Sequence, residues 1–202
     1  MIKAIIFDMG GVIINFKEIE YYQYLSKKYK LNINYLENLF DPLIDQMDEG
    51  NLKLNDVIEL VSKKLKITRK QMHLEWISGF KKTANINNNV INLIRHLSLN
   101  YYIYLLTNVN ISRYLTTRKE FLNGNSNIFN KKFISCYIHL RKPDSRIYKY
   151  VLNKIKLNAD EILFIDDMKT NVGAAVVVGM NGIVFKNCNQ LNLELKKLKI
   201  MI

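Results

Sequence analysis

The chain of 202 residues has few of the features that mark several other classes of protein. Its two cysteines, Cys136 and Cys188, are too few for a disulfide framework or a cysteine metal cluster, which is typical of a reducing compartment. No apolar run approaches the roughly 20 residues that a membrane-spanning helix needs. The apolar stretch near the N-terminus is interrupted by Asp8 and two glycines, so it does not predict a signal peptide. We therefore expect a cytoplasmic protein with no membrane partner.

Acidic residues are also scarce relative to basic ones, and the formal net charge is +12. Such a balance can indicate a nucleic-acid partner or an anionic ligand. The lysines occur in short groups on predicted helices, such as 27–30, 63–66 and 196–199, without a run of five or an aromatic-rich RNA motif. This dispersal favours solvated helix faces over nucleic-acid binding. The charge can still attract a small anionic substrate.

Hydrophobic periodicity predicts strands that alternate with helices, with one long interruption. The apolar run 4–7 predicts a buried strand. From about 16 to 80 the spacing is helical, with Asn55 as the expected N-cap of one helix and no convincing strand. After this stretch the expected elements are a helix at 90–97, a strand at 101–106, a helix at 111–121, a strand at 133–138, a helix from Asp144 to about 156, a strand at 161–165, a helix to about 178 and a strand at 182–185.

This order predicts an α/β fold, a three-layer Rossmann-like parallel sheet with a helical cap inserted after the first strand. Residues 1–15 and 84–202 are the expected core domain, and residues 16–83 are the expected cap.

Residues that can carry chemistry stand at or just beyond the predicted ends of four strands. They are Asp8, Thr107 with Asn108, Lys142, and Asp166 with Asp167. The ends of parallel strands share one edge of a sheet, so we expect these side chains to meet there. Carboxylates in a cleft hold Mg²⁺, and a lysine with a hydroxyl suits a phosphoryl group. A carboxylate beside a metal can also act as a nucleophile.

The segments FDMGGVI, YLLTN, KPDSRIY and LFIDDMKTN occur in that order. Together they resemble the four motifs of the haloacid dehalogenase-like (HAD) hydrolase superfamily, and FDMGGVI resembles its sugar-phosphate phosphatase branch. The helical stretch is similar to the small cap that this family inserts between its first and second motifs. The resemblance covers essentially the whole chain. It implies Mg²⁺-dependent hydrolysis of a small phosphomonoester through an aspartyl-phosphate.

The resemblance implies a role for each reacting residue. Asp8 is the expected nucleophile and a metal ligand. Thr107, with Asn108 beside it, is expected to bind the phosphoryl oxygens. Lys142 is expected to balance the charge on Asp8 and on the intermediate, and to contact the phosphate.

The expected magnesium site has further ligands. Asp166 and Asp167 are expected to bind Mg²⁺ directly or through water, and the backbone carbonyl of Gly10 is expected to complete the metal shell. Phe16, near the entrance of the cap, is a candidate substrate contact. The expected partner is a small phosphorylated molecule, and the sequence leaves the oligomeric state open.

Gly10 departs from the pattern of the phosphatases in this family, which usually carry a second aspartate there as general acid and base. General acid–base catalysis typically contributes about 10²–10⁴-fold to a rate. Two alternatives therefore stay open, a catalytically impaired HAD-fold binding or regulatory protein and a 2-haloacid dehalogenase. Dehalogenases expel a halide without an acid or a metal, but they lack an acidic pair like Asp166 and Asp167.

Overall fold

The computed structural model describes residues 1–120, 122 and 125–201. Its centre is a five-stranded parallel sheet, as the alternation of strands and helices predicted. In spatial order the strands are β5 (Lys131–Ile134), β4 (Tyr102–Thr107), β1 (Ala4–Phe7), β6 (Ile162–Asp166) and β7 (Asn181–Val184). The fold is therefore the expected α/β Rossmann-like fold.

The central position of β1 follows from its sequence AIIF, in which every residue is buried. Phe7 at its end is level with Leu105 of β4 and Ile165 of β6. Because the three strands run in the same direction, the residues that follow them meet at one edge of the sheet. This register brings Asp8 next to the ends of β4 and β6.

Helices cover both faces of the sheet, and side chains alternate between the two faces. On one face Ile5 and Phe7 belong to a hydrophobic cluster with α5 (Asn88–Leu97) and α10 (Cys188–Lys197). On the other face Ile6 packs in a cluster with α8 (Ser145–Ile155) and α9 (Lys169–Val177). Two further helices follow strands of the sheet: α6 (Ile111–Glu120) comes after β4, and the short α7 (Ser135–Ile138) comes after β5. The result is a three-layer arrangement.

Four helices lie between the first and second strands of the main sheet, and we call them the helical insertion. They are α1 (Glu18–Tyr29), α2 (Ile33–Asp48), α3 (Leu54–Leu65) and α4 (Arg69–Thr83). They bury a separate hydrophobic cluster of their own, in which Phe40 stacks on Tyr22 and Trp76. Among the described residues, no helix combines the length and apolar character that crossing a bilayer requires.

A two-stranded antiparallel ribbon joins the helical insertion to the rest of the fold. It consists of β2 (Ile14–Asn15) and β3 (Asn85–Ile86), on either side of the four helices. Neither strand was predicted, because two residues are too few to show a period. The ribbon holds the two chain connections of the helical insertion side by side.

Two sequence predictions were wrong in detail. The strand expected at 133–138 ends at Ile134, because the hydroxyl of Ser135 is drawn inward to accept a hydrogen bond from Val109 N and to donate to Asp48 O. The chain then turns into α7. Asn55 is not an N-cap, because α3 begins one residue before it and the carboxylate of Asp56 accepts from Lys53 N.

The remaining elements agree with the expectations to within one or two residues at most ends. Asp144 caps α8 as predicted, with its carboxylate accepting from Arg146 N. The helix expected at 111–121 is described from Ile111 to Glu120. Its predicted last residue, Phe121, lies outside the described residues.

Two helical glycines provide a matched test of the packing inside the helical insertion. A Cβ on Gly79 of α4 would lie 2.4 Å from the buried ring of Tyr21, whereas one on Gly173 of α9 would meet nothing within 4 Å. We expect Gly79→Ala to lower the free energy of unfolding by about 1–3 kcal/mol through overpacking. Gly173→Ala should raise it by up to about 1 kcal/mol through helix propensity. Thermal unfolding measures both, and a Gly79→Ala protein as stable as the parent would contradict the close contact of α1 with α4.

Candidate active site

Asp8 lies at the end of β1 with its side chain almost entirely buried. Its Oδ1 accepts a hydrogen bond from Met9 N at 2.6 Å and forms an ion pair with Lys142 Nζ at 2.8 Å. Both contacts use the same oxygen, which leaves Oδ2 as the oxygen available to a reacting group. Burial raises the pKa of Asp8 above its usual range, and the Lys142 ammonium opposes that rise.

Lys142 lies beneath the site, with only 1% of its surface exposed. Besides Asp8, its Nζ contacts Asp166 Oδ2 at 2.6 Å and the carbonyl oxygen of Leu106 at 3.1 Å. An ammonium has three hydrogens, so these three acceptors use its whole capacity. Burial alone would lower the pKa of Lys142, but the two carboxylates outweigh burial and raise it. The lysine therefore stays charged between two acids.

Asn108 determines where Lys142 stands. Its side-chain Nδ2 donates to the carbonyl oxygen of Lys142 at 2.8 Å, and its Oδ1 accepts from Lys142 N at 2.9 Å. These paired bonds tie the end of β4 to the loop before α8. The side chain of Asn108 thus positions the backbone of Lys142, and its expected contact with phosphate stays a prediction.

Thr107, the last residue of β4, is buried beside Asn108. Among the residues that the structure describes, its hydroxyl has one hydrogen bond, to the carbonyl oxygen of Asn108 at 3.5 Å, well beyond the usual O–H···O distance. That hydroxyl is therefore free to bind a ligand in the cavity that Thr107 lines.

Asp166 ends β6, and Asp167 follows it on the more exposed side. Asp166 is fully buried and accepts from Lys142, from Met168 N at 2.8 Å, and with both oxygens from Asn171 Nδ2 at 3.0 and 3.1 Å. Asp167 lies against Gly11, where a Cβ would come within 2.1 Å of Asp167 Oδ2. Gly11 also has a φ of +72°, so both the turn and the close approach require glycine.

Asp8, Asp166 and Asp167 together have the composition of a magnesium site. Each offers one carboxylate oxygen within 4.8 Å of those of the other two. Three carboxylates and one ammonium leave a formal charge of −2 (−3 + 1). Burial and the neighbouring Asp166 raise the pKa of Asp167, so added positive charge is favoured there. Hard oxygen donors with this charge fit Mg²⁺.

The structure brings together every predicted side chain of the site. It adds Asn171, which sequence reasoning missed although it ends the quoted segment LFIDDMKTN. Since Asn171 lies about one helical turn beyond the acidic pair, that spacing was the available signal. It also adds a buried polar group around Asp48 and Arg113, which no motif indicated.

A cavity of about 70 Å³ extends from Gly10, Thr107 and Asn108 towards the helical insertion. An open cleft of about 780 Å³ lies on the other side of the site, along Gly11 and Asp167. Phe16 lines both spaces, in agreement with its expected place near an entrance. Of the predicted site residues, Gly10, Thr107 and Asn108 line the small cavity, and Asp167 lines the open cleft.

Two phosphatases are similar to this chain in sequence over most of its length. A sesquiterpene phosphatase from Aspergillus oryzae is 26% identical over 200 residues, which cover 97% of this chain and 96% of that protein. A D-ribitol-5-phosphate phosphatase from Bacteroides thetaiotaomicron is 23% identical over 185 residues, covering 85% of this chain and 86% of that protein.

A HAD family enzyme from Bacteroides thetaiotaomicron, solved as its magnesium complex, has the same fold. Its TM-score is 0.80 at 24% identity, with 92% of this chain and 93% of that chain covered. A family model described as haloacid dehalogenase-like hydrolase matches residues 2–179. The chain therefore belongs to the haloacid dehalogenase-like hydrolases.

Proposed function

We propose that the protein is a Mg²⁺-dependent hydrolase of small phosphomonoesters, sugar phosphates among them, that works through an aspartyl-phosphate. The observation that carries this proposal is the Asp8 carboxylate, held at the end of β1 by Lys142 beside Asp166, at the sheet edge where Thr107 lines a cavity. The phosphatases among the relatives named above support the same reaction class.

In the proposed reaction, Asp8 Oδ2 attacks the phosphorus atom and the bond from phosphorus to the leaving oxygen breaks. The Thr107 hydroxyl donates a hydrogen bond to a phosphoryl oxygen, and the Lys142 ammonium offsets the negative charge that gathers beside Asp8. Water then attacks the phosphorus of the aspartyl-phosphate, which frees phosphate and restores the carboxylate. Asp8, Asp166, Asp167 and the Gly10 carbonyl would hold Mg²⁺, which when bound would supply charge neutralisation for the transferred group.

The helical insertion has a proposed role as a cap. We assign residues 16–83 to this cap, and residues 1–15 and 84–202 to the core domain. The insertion buries its own hydrophobic cluster and contributes Asp48 and Phe80 to the wall of the cavity, and Phe16, just before α1, lines it too. A wall of this kind excludes water from the reacting groups and selects the substrate.

Gly10 favours a second candidate, a binding or regulatory protein that keeps the fold without efficient turnover. No side chain at Gly10 can protonate a leaving alcohol, so that proton has to come from water. A metal-independent 2-haloacid dehalogenase ranks below the phosphomonoester hydrolase and the binding or regulatory protein, because it would have no use for the acidic cluster at Asp166 and Asp167.

The nucleophile and the metal are tested together. We expect Asp8→Asn to reduce turnover of p-nitrophenyl phosphate by on the order of 10⁴-fold, because the attacking oxygen loses its charge. The variant should stay folded, since Lys142 keeps Asp166 as its partner. The parent should lose activity in excess chelator and regain it with Mg²⁺. Near-parental turnover by Asp8→Asn would place the chemistry elsewhere, and full activity in chelator would refute the metal site.

Asn171 is expected to be a positioning residue for the metal. Removing its two hydrogen bonds to Asp166 should weaken Mg²⁺ binding by about 10–100-fold, as for other groups that orient metal ligands. Isothermal calorimetry on Asn171→Ala measures this effect. Asn181→Ala is the matched control, because its amide donates to the backbone of Asp160 and Ile162 and, within the described part of the chain, to no acid of the site. Equal Mg²⁺ affinity in both variants would show that Asp166 needs no such support.

The role of Gly10 can be tested by restoring an acid. A Cβ at Gly10 would meet nothing within 4 Å, so a side chain can begin there without displacing a neighbour. The parent should hydrolyse a sugar 1-phosphate with a higher kcat/KM than the matching 6-phosphate, since the anomeric leaving group is less basic. Gly10→Asp should raise the 6-phosphate rate by about 10²-fold and narrow that gap.

Gly10→Asn has the same shape without the acid and is the control for that experiment. Two outcomes would contradict the idea that the lack of an acid at Gly10 limits the reaction. One is an equal kcat/KM of the parent for the two sugar phosphates, and the other is an equal increase in the 6-phosphate rate in Gly10→Asp and Gly10→Asn.

A further inference from the structure

The cavity beside the proposed reaction centre has a second, polar end. Gly10, Thr107 and Asn108 line the end next to the reacting groups, and Asp48, Arg113 and Thr117 line the end towards the helical insertion. At about 70 Å³, it has room for roughly two water-sized groups at ~30 Å³ each. A group attached to a phosphoryl that Thr107 binds would lie next to this space.

Two buried hydrogen-bond donors in this lining have no partner among the described residues. They are Nε of Arg113, which is 6% exposed, and Oγ1 of Thr117, which is fully buried. The residues lie one turn apart on α6 and therefore on the same face of the helix. Buried donors are nearly always bonded, so these two indicate a ligand that supplies acceptor oxygens.

Arg113 is held rigidly, which fixes the direction of its free N–H group. Its Nη1 donates to Glu18 Oε1 at 3.1 Å. Its guanidinium carbon lies 4.9 Å from the ring centres of both Phe16 and Trp76, and 5.7 Å from that of Phe80. A guanidinium packed among aromatic rings is preorganised for directional hydrogen bonding.

Asp48 supplies an acceptor at the same end of the cavity. Its Oδ1 accepts from Asn110 Nδ2 at 3.1 Å, and Asn110 also caps α6 through Arg113 N. Burial raises the pKa of Asp48 to about 6, and the positive charge of Arg113 opposes that rise. At neutral pH the group is a carboxylate that accepts hydrogen bonds.

The charges and donors of this lining discriminate between classes of leaving group. A second anionic group would face the two carboxylates of Glu18 and Asp48, which outnumber the one guanidinium of Arg113 in this lining. An apolar chain would leave Arg113 Nε and the Thr117 hydroxyl buried without partners, at a cost in free energy. A hydroxyl group both accepts and donates, so it satisfies donors and acceptors together.

We propose that this end of the cavity is a leaving-group subsite for hydroxylated alcohols, with Arg113 and Thr117 as its specificity-determining residues. The ligand class is the phosphomonoester of a polyol or sugar whose hydroxyls next to the phosphate-bearing carbon accept from Arg113 and Thr117 and donate to Asp48. This inference rests on the proposed function, since the phosphate must sit at Asp8 for the hydroxyls to reach the subsite.

Two five-carbon primary alkyl phosphates, D-ribitol 5-phosphate and n-pentyl phosphate, test the subsite. The parent protein should favour D-ribitol 5-phosphate in kcat/KM. The measured quantity is the kcat/KM for D-ribitol 5-phosphate divided by that for n-pentyl phosphate. Thr117→Val should lower this ratio by about 3–10-fold, and Arg113→Lys should lower it by about 10–100-fold. Intrinsic reactivity of the two esters cancels when each variant is compared with the parent.

Thr116→Val is the matched control, because Thr116 neighbours Thr117 on α6 but does not line the cavity. Its ratio should equal that of the parent. Thr117→Val should also melt at the same temperature as the parent or higher, since it removes an unpartnered buried hydroxyl. A lower melting temperature with an unchanged ratio would show a purely structural role and overturn the proposal.

Calorimetric binding of both esters to Asp8→Asn separates failure of the subsite from failure of the proposed reaction. Hydrolysis with equal preference, or with preference for the pentyl ester, would overturn the subsite and leave the reaction standing. No hydrolysis by the parent, with tighter binding of the ribitol ester that Thr117→Val weakens, would support the subsite and overturn the reaction. Neither binding nor hydrolysis would overturn both.

Discussion

The buried ammonium of Lys142 between Asp8 and Asp166 is the interaction on which the rest of the site depends. Burying two carboxylates side by side is costly, and an ion pair offsets that cost only when its geometry and hydrogen bonds are complete. Here the lysine uses all three donors, on the two acids and on the Leu106 carbonyl. Asn108 fixes its backbone, and Asn171 holds the far acid. The Lys142 ammonium therefore links four parts of the fold: the neighbouring strands β1, β4 and β6 and the loop before α8.

The three acids and the lysine leave the site with a net negative charge, which suits a divalent cation. The adjoining cavity, by contrast, offers hydrogen-bond donors. The two regions come from different parts of the chain. The sheet edge contributes the acids, the lysine and Thr107. The helical insertion contributes Asp48 and Phe80, with Phe16 just before it, and α6 lies between them with Arg113 and Thr117. In the proposed function, reaction chemistry and substrate choice therefore depend on different elements of the fold.

Much of this arrangement is readable in the sequence because it depends on local pattern. A four-residue buried strand, followed by an acid and two glycines, reveals both the strand and the place of Asp8. The acids after β6 follow from the same logic, as does the capping of α8 by Asp144. These features need only the period of a strand, the end of a helix and the rule that parallel strands end at one edge.

Features that depend on packing between distant segments were not readable. The hydroxyl of Ser135 ends a strand early because it meets Val109 and Asp48, and Asp48 lies 87 residues away. The amide of Asn108 turns to the Lys142 backbone across 34 residues. Arg113 gains its surroundings from Phe16, Trp76 and Phe80, which only the folded helical insertion brings to it. No short-range period records contacts of this kind.

The central claim is that the Asp8 carboxylate itself carries the phosphoryl group during turnover. The most direct test is to quench the enzyme with borohydride during turnover of p-nitrophenyl phosphate, which reduces an acyl phosphate to an alcohol, and to map the product by peptide mass spectrometry. The account predicts conversion of Asp8 to homoserine, only when Mg²⁺ and substrate are both present. Reduction at another residue, or none at Asp8 while phosphate is being released, would contradict it.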